Sequence, residues 1–286
     1  MFVWVVSKHG MLANAVKLCL ENKNIRYVAT SKEHVNILDV SQIRNFVKDH
    51  PVTHIINCAA YTDVEKAEIE KERSYEVNVK GVENLAIVVK ALDAKLIHYS
   101  SDYVFDGKTE PYVETDECNP INYYGYTKLI SEEVIKSILS NYLIIRTSWL
   151  FGFKKPNFPS KMFSLMKEKN EIQVVKDQVG KATFCIDLAL ASLDLLGEKG
   201  VFHFANNGVI SWYDFALAIF KNLKNSGQNI KCENIKAVLS DQFKTIAIRP
   251  KYSVLNTDKF TSLNKTKIRP FTEGLKEYFI EEYGIY

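Results

Sequence analysis

The feature that most constrains this chain is a regular alternation, in its first half, of short apolar runs with helix-length amphipathic segments. Five runs are short, rich in Val and Ile, and bounded by turn-forming residues: Phe2 to Val6, Ile25 to Ala29, His54 to Cys58, Lys95 to Ser100 and Tyr142 to Thr147. Each is typical of a strand buried on both faces. Strand–helix–strand repeats require right-handed crossovers and parallel strands. The sequence therefore predicts an α/β fold built on a doubly wound parallel sheet.

Two of the intervening segments have the spacing of amphipathic helices. The segment from Leu12 to Leu20 places Leu12, Val16, Cys19 and Leu20 on one face, and the segment from Gly81 to Leu92 groups Leu85, Ile87, Val88 and Leu92. We expect both faces to cover the sheet.

The second half of the chain has a looser pattern. After Gly152 it contains helical segments such as Ser160 to Lys169 and Trp212 to Lys224, and two strand-like runs, Gln173 to Lys176 and Gly200 to Phe204. We interpret Trp212 as a core residue on an amphipathic helix. Because no Pro- or Ser-rich linker separates the halves, we expect a domain of residues 1–150 with a smaller domain of residues 151–286 laid on it. Short segments at about 172–190 would return to the sheet.

Composition excludes several classes of protein. No apolar run approaches the roughly 18 residues of a membrane span, and Met1 to Val6 is too short for a secretion signal, so we expect a cytosolic protein. Five widely spaced cysteines without a Cys-x-x-Cys pair predict neither disulfides nor a zinc site. The net charge is +3 and the lysines are scattered among acidic residues, which argues against nucleic acid as a partner.

The turn after the first strand has the position of a dinucleotide-binding loop but few of its glycines. Such a loop uses glycines for the tight turn, for close approach of the backbone to pyrophosphate and for helix packing. The chain reads Ser7-Lys8-His9-Gly10-Met11-Leu12-Ala13, so only the middle glycine of a G-x-x-G-x-x-G frame is present. Taken alone, the turn fits a nucleotide loop or an ordinary β–turn–α connection.

The end of the second strand bears on cofactor type. An NAD site usually carries Asp or Glu there to bind the ribose 2′-hydroxyl, whereas a 2′-phosphate favours hydroxyl or basic groups. The chain offers Thr30-Ser31-Lys32. This favours NADP over NAD, although a polar loop without a ligand has the same composition.

A third signal combines a hydroxyl at a strand end with a Tyr-x-x-x-Lys spacing. Ser101 ends the fourth strand run, and Tyr124 and Lys128 are one helical turn apart on one face. A phenol transfers a proton at neutral pH when a nearby cation stabilises its phenolate, and the Ser101 hydroxyl can hydrogen-bond a carbonyl that Tyr124 protonates. The alternative is a chance spacing in a chain with 15 tyrosines.

Further segments, in order along the chain, resemble the extended short-chain dehydrogenase/reductase family, and within it the dTDP-4-dehydrorhamnose reductases. They are Asn57-Cys58-Ala59-Ala60-Tyr61-Thr62, Glu65-Lys66-Ala67-Glu68, Val77-Asn78-Val79-x-Gly81, Ser101-Asp102-Tyr103-Val104-Phe105-Asp106-Gly107, Arg146-Thr147-Ser148-Trp149, Asp177-Gln178-x-Gly180, Ser211-Trp212-Tyr213-x-Phe215-Ala216 and Arg249-Pro250-x-x-Ser253. The resemblance runs from the first strand to about residue 258. It implies a Rossmann-type NAD(P)-binding domain and a C-terminal substrate-binding domain.

The resemblance also implies a role for each matching residue. Ser101, Tyr124 and Lys128 would be catalytic, with Ser101 where the family usually has Thr. NADPH would contact Ser7, Gly10, Met11, Leu12, Ser31, Lys32, Asp39, Val40, Ala59, Ala60, Tyr61, Tyr124 and Lys128. The nucleotide sugar would be bordered by Thr62, Ser101, Tyr103, Trp149 and Gln178, with core packing as the alternative for Trp149.

The implied reaction is hydride transfer from NADPH to the 4-keto carbon of a nucleotide-linked 6-deoxy-hexulose. NADH, a UDP-linked sugar and a homodimer stay open, and no carboxylate cluster in the sequence assigns the magnesium ion that relatives can use. Tyr103 stands where a 4,6-dehydratase has Glu, and no cysteine stands where a bifunctional epimerase-reductase has one. A regulatory subunit resembling that of methionine adenosyltransferase is the non-catalytic alternative. Ser7 and Ala13 depart from the loop pattern: the Cβ of Ser7 restricts a turn that needs positive φ, whereas Ala13 adds only a methyl at the helix–strand contact.

Overall fold

The computed structural model describes residues 1–108 and 111–286. Its strands are β1 (Phe2–Val6), β2 (Arg26–Thr30), β3 (His54–Asn57), β4 (Lys95–Ser101), β5 (Tyr142–Thr147), β6 (Leu150–Phe151), β7 (Glu171–Val175), β8 (Val179–Gly180), β9 (Thr183–Phe184), β10 (Gly200–His203), β11 (Ile210–Ser211) and β12 (Asn234–Val238). Its helices are α1 (Met11–Asn22), α2 (Val40–Lys48), α3 (Val64–Ala67), α4 (Lys71–Tyr75), α5 (Gly81–Leu92), α6 (Tyr123–Ile138), α7 (Phe158–Glu168), α8 (Cys185–Asp194), α9 (Trp212–Asn225), α10 (Asp258–Thr261) and α11 (Phe271–Tyr283). None of the helices in the described part of the chain is long and apolar enough to cross a membrane.

Six strands form the central sheet in the order β2-β1-β3-β4-β5-β10, and every neighbouring pair is parallel. The predicted doubly wound α/β fold is therefore confirmed. The order reverses between β1 and β3, which is the point where ligands bind in open α/β sheets. The register aligns the carboxyl ends of the strands, because Val6 lies opposite both Thr30 and Asn57, and Asn57 lies opposite His98.

Alternate side chains of each strand enter two separate cores on the two faces of the sheet. Val3 and Val5 of β1 pack with α1 and α8 on one face, whereas Trp4 and Val6 pack with α2 and α5 on the other. The first core continues into aromatic residues of the second half, including Phe215 and Phe279. Burial on both faces is the physical reason that these strands are continuous apolar runs in the sequence.

The five predicted strands of the first half have observed bounds that differ by at most one residue at either end. The apolar face predicted for α1 is also confirmed, since all four of its residues are buried. For α5 the prediction was wrong in part, because Ile87 and Leu92 are 38% and 39% exposed. A stripe of Val82, Leu85, Ala86 and Val89 at helical spacing faces the core instead.

The second half adds one strand to the central sheet. That strand is β10, which pairs with β5. The expectation that residues at about 172–190 return to the sheet was wrong for the strands, because β7 pairs with β12 in a separate two-stranded sheet. The alternating burial of β7 suits a sheet covered on one face, whereas a central strand is buried on both. Within this range α8 does return to the first half, where it packs on α1.

Candidate active site

A cavity of about 1280 Å³ lies at the carboxyl ends of β1 to β5. Its walls include Ser7 after β1, Thr30 at the end of β2, Ala59 after β3, Ser101 at the end of β4 and Thr147 at the end of β5. Single-ligand pockets usually have volumes of about 300–1000 Å³, so this cavity is large enough for two ligands side by side. Six lysine or arginine side chains and three carboxylates line it, a balance that favours anionic ligands.

The turn after β1 presents an uncapped helix end to the cavity. Gly10 is the N-cap of α1, and no side chain caps this end, in contrast to α2 and α6. The first N–H groups of such a helix bind phosphate well. Ser7 has φ +87°, a left-handed conformation that glycine adopts freely and serine adopts at a cost. An added Cβ on Gly10 would lie 3.2 Å from Ser7 Oγ, so the turn is tight.

The end of β2 presents mixed charge to the cavity. Ser31 is buried and its Oγ lies 2.8 Å from His34 Nδ1, while the side chains of Lys32 and Glu33 are exposed along the cavity wall. The Ser31 hydroxyl, more than any other contact, lowers the pKa of Glu33. A hydroxyl and an ammonium group therefore stand where the sequence predicts contacts to a 2′-phosphate, with one carboxylate beside them.

Ser101 is held by its neighbours at the end of β4. Its Oγ donates to Asp102 Oδ1 at 2.9 Å and accepts from the backbone N–H of Tyr103 at 3.1 Å. The second carboxyl oxygen of Asp102 accepts from Ser253 Oγ at 2.6 Å. Burial raises the pKa of Asp102 to about 7, against the opposing effect of the two serine hydroxyls. A carboxyl that ionises near neutral pH thus adjoins the Ser101 hydroxyl.

Tyr124 and Lys128 lie on α6, whose first turn is fixed by the Asn122 side chain accepting from Gly125 N at 2.8 Å. Both side chains line the cavity. Burial raises the pKa of Tyr124, the charge of Asp102 adds to the rise, and the Ser101 hydroxyl opposes it. Burial lowers the pKa of Lys128 to about 8, opposed by Glu132. The phenol is therefore protonated at neutral pH, and most of the amine is charged.

The buried imidazole of His98 on β4 lies between Lys128 and Asn57 at the end of β3. His98 Nε2 lies 3.1 Å from Lys128 Nζ and 3.1 Å from Ser131 Oγ. On its other side, His98 Nδ1 lies 3.2 Å from Asn57 Nδ2, and Asn57 Oδ1 accepts from Ala59 N at 3.1 Å. Burial, together with the charge of Lys128, keeps the pKa of His98 well below its usual range, so the ring is neutral. This network fixes both Lys128 and the Ala59 backbone.

Two stacked indoles, one from each half of the chain, form one wall of the cavity. The rings of Trp149 and Trp212 are 3.7 Å apart and 10° from parallel, and both line the cavity. The interpretation of Trp212 as a core residue was therefore incomplete, because one side of its ring packs on the core while the residue also faces the cavity. An added Cβ on Gly180 would lie 2.9 Å from the Trp149 ring, so only glycine permits this stack.

Fourteen of the predicted site residues meet in this cavity: Ser7, Gly10, Met11, Leu12, Ser31, Lys32, Ala59, Ala60, Thr62, Ser101, Tyr103, Tyr124, Lys128 and Trp149. Four others, Asp39, Val40, Tyr61 and Gln178, lie outside its lining. Asp39 caps α2, with Oδ1 accepting from Ser41 N at 2.9 Å, and Val40 packs on the core behind it. The backbone of Tyr61 is turned to Asn78, whose Oδ1 accepts its N–H at 2.8 Å.

The cavity also contains polar residues that sequence reasoning did not single out. They include Arg73, Asp102, Lys155 and Arg249. Asp102 and Arg249 stand inside segments noted for their resemblance, so a signal existed for these two. Lys155 and Arg73 gave none, because their place in the cavity depends on how distant elements pack. Among residues 1–108 and 111–286, no group of three or more His, Cys, Asp or Glu side chains is placed to hold a metal ion.

Known proteins resemble this chain over nearly its whole length. The family model described as RmlD substrate binding domain matches residues 1–283. The chain is 35% identical to the spore coat polysaccharide biosynthesis protein SpsK of Bacillus subtilis, over 98% of this chain and 97% of SpsK. It is also 35% identical to a dTDP-4-keto-6-deoxy-D-glucose reductase of Streptomyces niveus, over 96% of each chain.

A solved structure extends the comparison to the fold. The dTDP-4-dehydrorhamnose reductase of Bacillus anthracis, determined in complex with NADP, is 34% identical. It superimposes with a TM-score of 0.92 over 98% of this chain and 99% of its own.

Proposed function

Because the chain belongs to the RmlD substrate-binding family of extended short-chain dehydrogenases/reductases, we propose that it is an NADPH-dependent reductase of a nucleotide-linked 4-keto-6-deoxy-hexulose. The substrate would be dTDP-4-dehydro-L-rhamnose or a close analogue, and the product would serve polysaccharide biosynthesis. The observation that carries the proposal is the meeting of Ser101, Tyr124 and Lys128 in one cavity with room for a cofactor and a nucleotide sugar. Relatives whose names state this chemistry support it.

The residues at the carboxyl ends of β1 to β3, where the strand order reverses, are suited to binding a dinucleotide. The uncapped N-terminus of α1 would hold the pyrophosphate, and Ser31 and Lys32 would hold the 2′-phosphate. Ala59 and Ala60 would pass along the ribose, with Ala59 fixed by Asn57. The Lys128 ammonium has three N–H donors, which suffice for the ribose hydroxyls. Bound NADPH supplies the hydride.

Side chains of the protein would carry out the proton transfer. Ser101 would donate a hydrogen bond to the 4-keto oxygen, and Tyr124 would give its proton to that oxygen as negative charge develops there. The Lys128 ammonium would stabilise the resulting phenolate. Thr62, Tyr103 and Trp149 would border the sugar ring, whereas Gln178 lies outside the cavity lining.

The test is NADPH oxidation, followed by absorbance, with a panel of nucleotide sugars. The panel contains dTDP-4-keto-6-deoxy-L-mannose, dTDP-4-keto-6-deoxy-D-glucose and the UDP-linked equivalents. Tyr124→Phe removes the proposed acid and is expected to lower kcat by about 10²–10⁴-fold. Tyr126→Phe is the matched control, since Tyr126 lies on the same helix, is 42% exposed and is not among the cavity residues.

Undiminished turnover in Tyr124→Phe would overturn the proposed mechanism. NADP binding without turnover on any sugar, together with co-purification of a stoichiometric partner enzyme, would favour the regulatory-subunit alternative.

A further inference from the structure

Ser101 has more hydrogen-bond partners than its single hydroxyl hydrogen can serve. A serine hydroxyl carries one hydrogen, and here Ser101 gives it to Asp102 Oδ1. Its oxygen already accepts from Tyr103 N and is also within hydrogen-bonding reach of the Tyr124 hydroxyl. In this arrangement Ser101 has no hydrogen left for a substrate carbonyl, although the proposed reaction requires one.

We propose that Asp102 is a positioning residue that sets the direction of the Ser101 hydroxyl. When its carboxyl is protonated at Oδ1, Asp102 donates to Ser101 Oγ, and the Ser101 hydrogen turns towards the substrate oxygen. When the carboxyl is ionised, it takes that hydrogen for itself, and the carbonyl loses a donor. This inference rests on the proposed reductase function.

The position of Asp102 suits this role. Only 2% of the residue is exposed, and it lies between Ser101 of the strand end and Ser253 of the second half, so the carboxyl cannot turn away from Ser101. Ser253 Oγ can donate to Oδ2 in both states of the carboxyl, because a protonated Oδ1 leaves Oδ2 as an acceptor. The protonated state therefore satisfies every group without moving a side chain.

The surroundings of Asp102 favour the neutral carboxyl and tie it to Tyr124. The titratable or charged groups facing it are Tyr124 of α6 and Tyr103 of the following turn, and Arg249 acts on Tyr103. Lys128 lies one turn beyond Tyr124. Ionised Asp102 adds to the rise in the pKa of Tyr124 and so makes the phenol a weaker acid. Protonation of Asp102 therefore frees the Ser101 hydrogen for the substrate and also makes Tyr124 a stronger acid.

The experiment compares pH profiles of kcat for the wild type, Asp102→Asn and Ser253→Ala. From pH 6 to pH 8 the ionisation of Asp102, whose pKa is raised to about 7, should lower kcat of the wild type about tenfold, and the loss of charge on Lys128 should bring the total to about twentyfold. Asp102→Asn cannot ionise and should lose no more than about twofold, from Lys128, whose pKa is about 8. Ser253→Ala removes a donor that stabilises the carboxylate, so its fall in kcat should move to higher pH.

A structural role alone would lower kcat equally at every pH and would leave the three profiles parallel. Parallel profiles would overturn the inference.

A second readout does not depend on turnover. A carboxyl whose pKa is raised on folding, from 3.8 to about 7, stabilises the fold while it is protonated. Its contribution is complete below about pH 4 and is lost as pH rises through 7. The free energy of unfolding in urea should therefore fall for the wild type relative to Asp102→Asn over this interval. A constant difference would contradict a neutral carboxyl at Asp102, whereas absent turnover with every sugar would contradict the proposed function instead.

Discussion

Ser7 shows how a single residue stores strain in the turn after β1. Its φ of +87° continues the path of β1, where its N–H donates to Thr30 O at 3.1 Å, into the N-terminus of α1. An L-residue in the left-handed region costs about 1–2 kcal/mol. The sequence identified this position as the weak point of the loop, because it stands at the first glycine position of the dinucleotide-binding pattern.

Ser7→Gly should therefore stabilise the protein. Relief of about 1–2 kcal/mol of strain outweighs the roughly 0.5–1 kcal/mol that the greater chain entropy of glycine costs. The free energy of unfolding in urea measures the net gain, expected to be about 0.5–1 kcal/mol by the same balance. Ser7→Ala keeps the Cβ and the strain and is the matched control. A gain of the same size in both variants would show that the hydroxyl, and not the backbone, is responsible.

At the scale of elements, the approach of α6 to the turn after β4 sets the distance between Tyr124 and Ser101. Gly125 makes this approach possible, because an added Cβ would lie 2.0 Å from the carbonyl oxygen of Tyr103. A backbone atom cannot yield as a flexible side chain does. The helix must then move away from the turn, and Tyr124 moves with it.

Gly125→Ala is expected to lower the free energy of unfolding by about 1–3 kcal/mol, the usual cost of overpacking, and to lower kcat together with it. Gly197→Ala is the control, since nothing lies within 4 Å of the added Cβ there. Chemical denaturation and turnover of both variants test the prediction. An active, stable Gly125→Ala protein would show that the contact between α6 and the turn does not fix Tyr124.

Elements differ in how far the sequence predicts them. Strands buried on both faces leave a continuous apolar run, which is why the bounds of β1 and β5 agree with prediction. The pairing of β7 with β12 leaves no such mark, because the partner is contributed by a distant segment. The site residues differ in the same way. Tyr124 and Lys128 are four residues apart, so their spacing can be recognised in the sequence. The contact of Asp102 with Ser253 spans 151 residues and required the fold.

At the scale of the whole molecule, residues 246–253 of the second half bind to the first half beside the cavity through hydrogen bonds and an ion pair. Glu65 of α3 accepts from Ile246 N at 2.7 Å and pairs with Arg249 Nη1 at 2.5 Å. Asn122 Nδ2 donates to Ile248 O at 2.9 Å, and Ser253 reaches Asp102. Arg249 lines the cavity, so these contacts orient a cation that suits a diphosphate.

Glu65→Gln should raise the KM for the nucleotide sugar severalfold while leaving NADPH affinity and stability nearly unchanged. The ion pair is partly exposed, with side-chain exposures of 20% for Arg249 and 34% for Glu65, so its loss costs only about 0–1 kcal/mol of stability. Arg249 then keeps only its contacts with Ala247 O and Tyr103, and we expect binding of the nucleotide sugar, more than that of NADPH, to depend on the lost pairing. Glu83→Gln breaks an exposed helical ion pair with Lys80 away from the cavity and should change neither KM nor stability. Steady-state kinetics with NADPH titration separates the outcomes: an unchanged KM in Glu65→Gln would remove Arg249 from substrate binding, and a matching loss of NADPH affinity would place it on the cofactor.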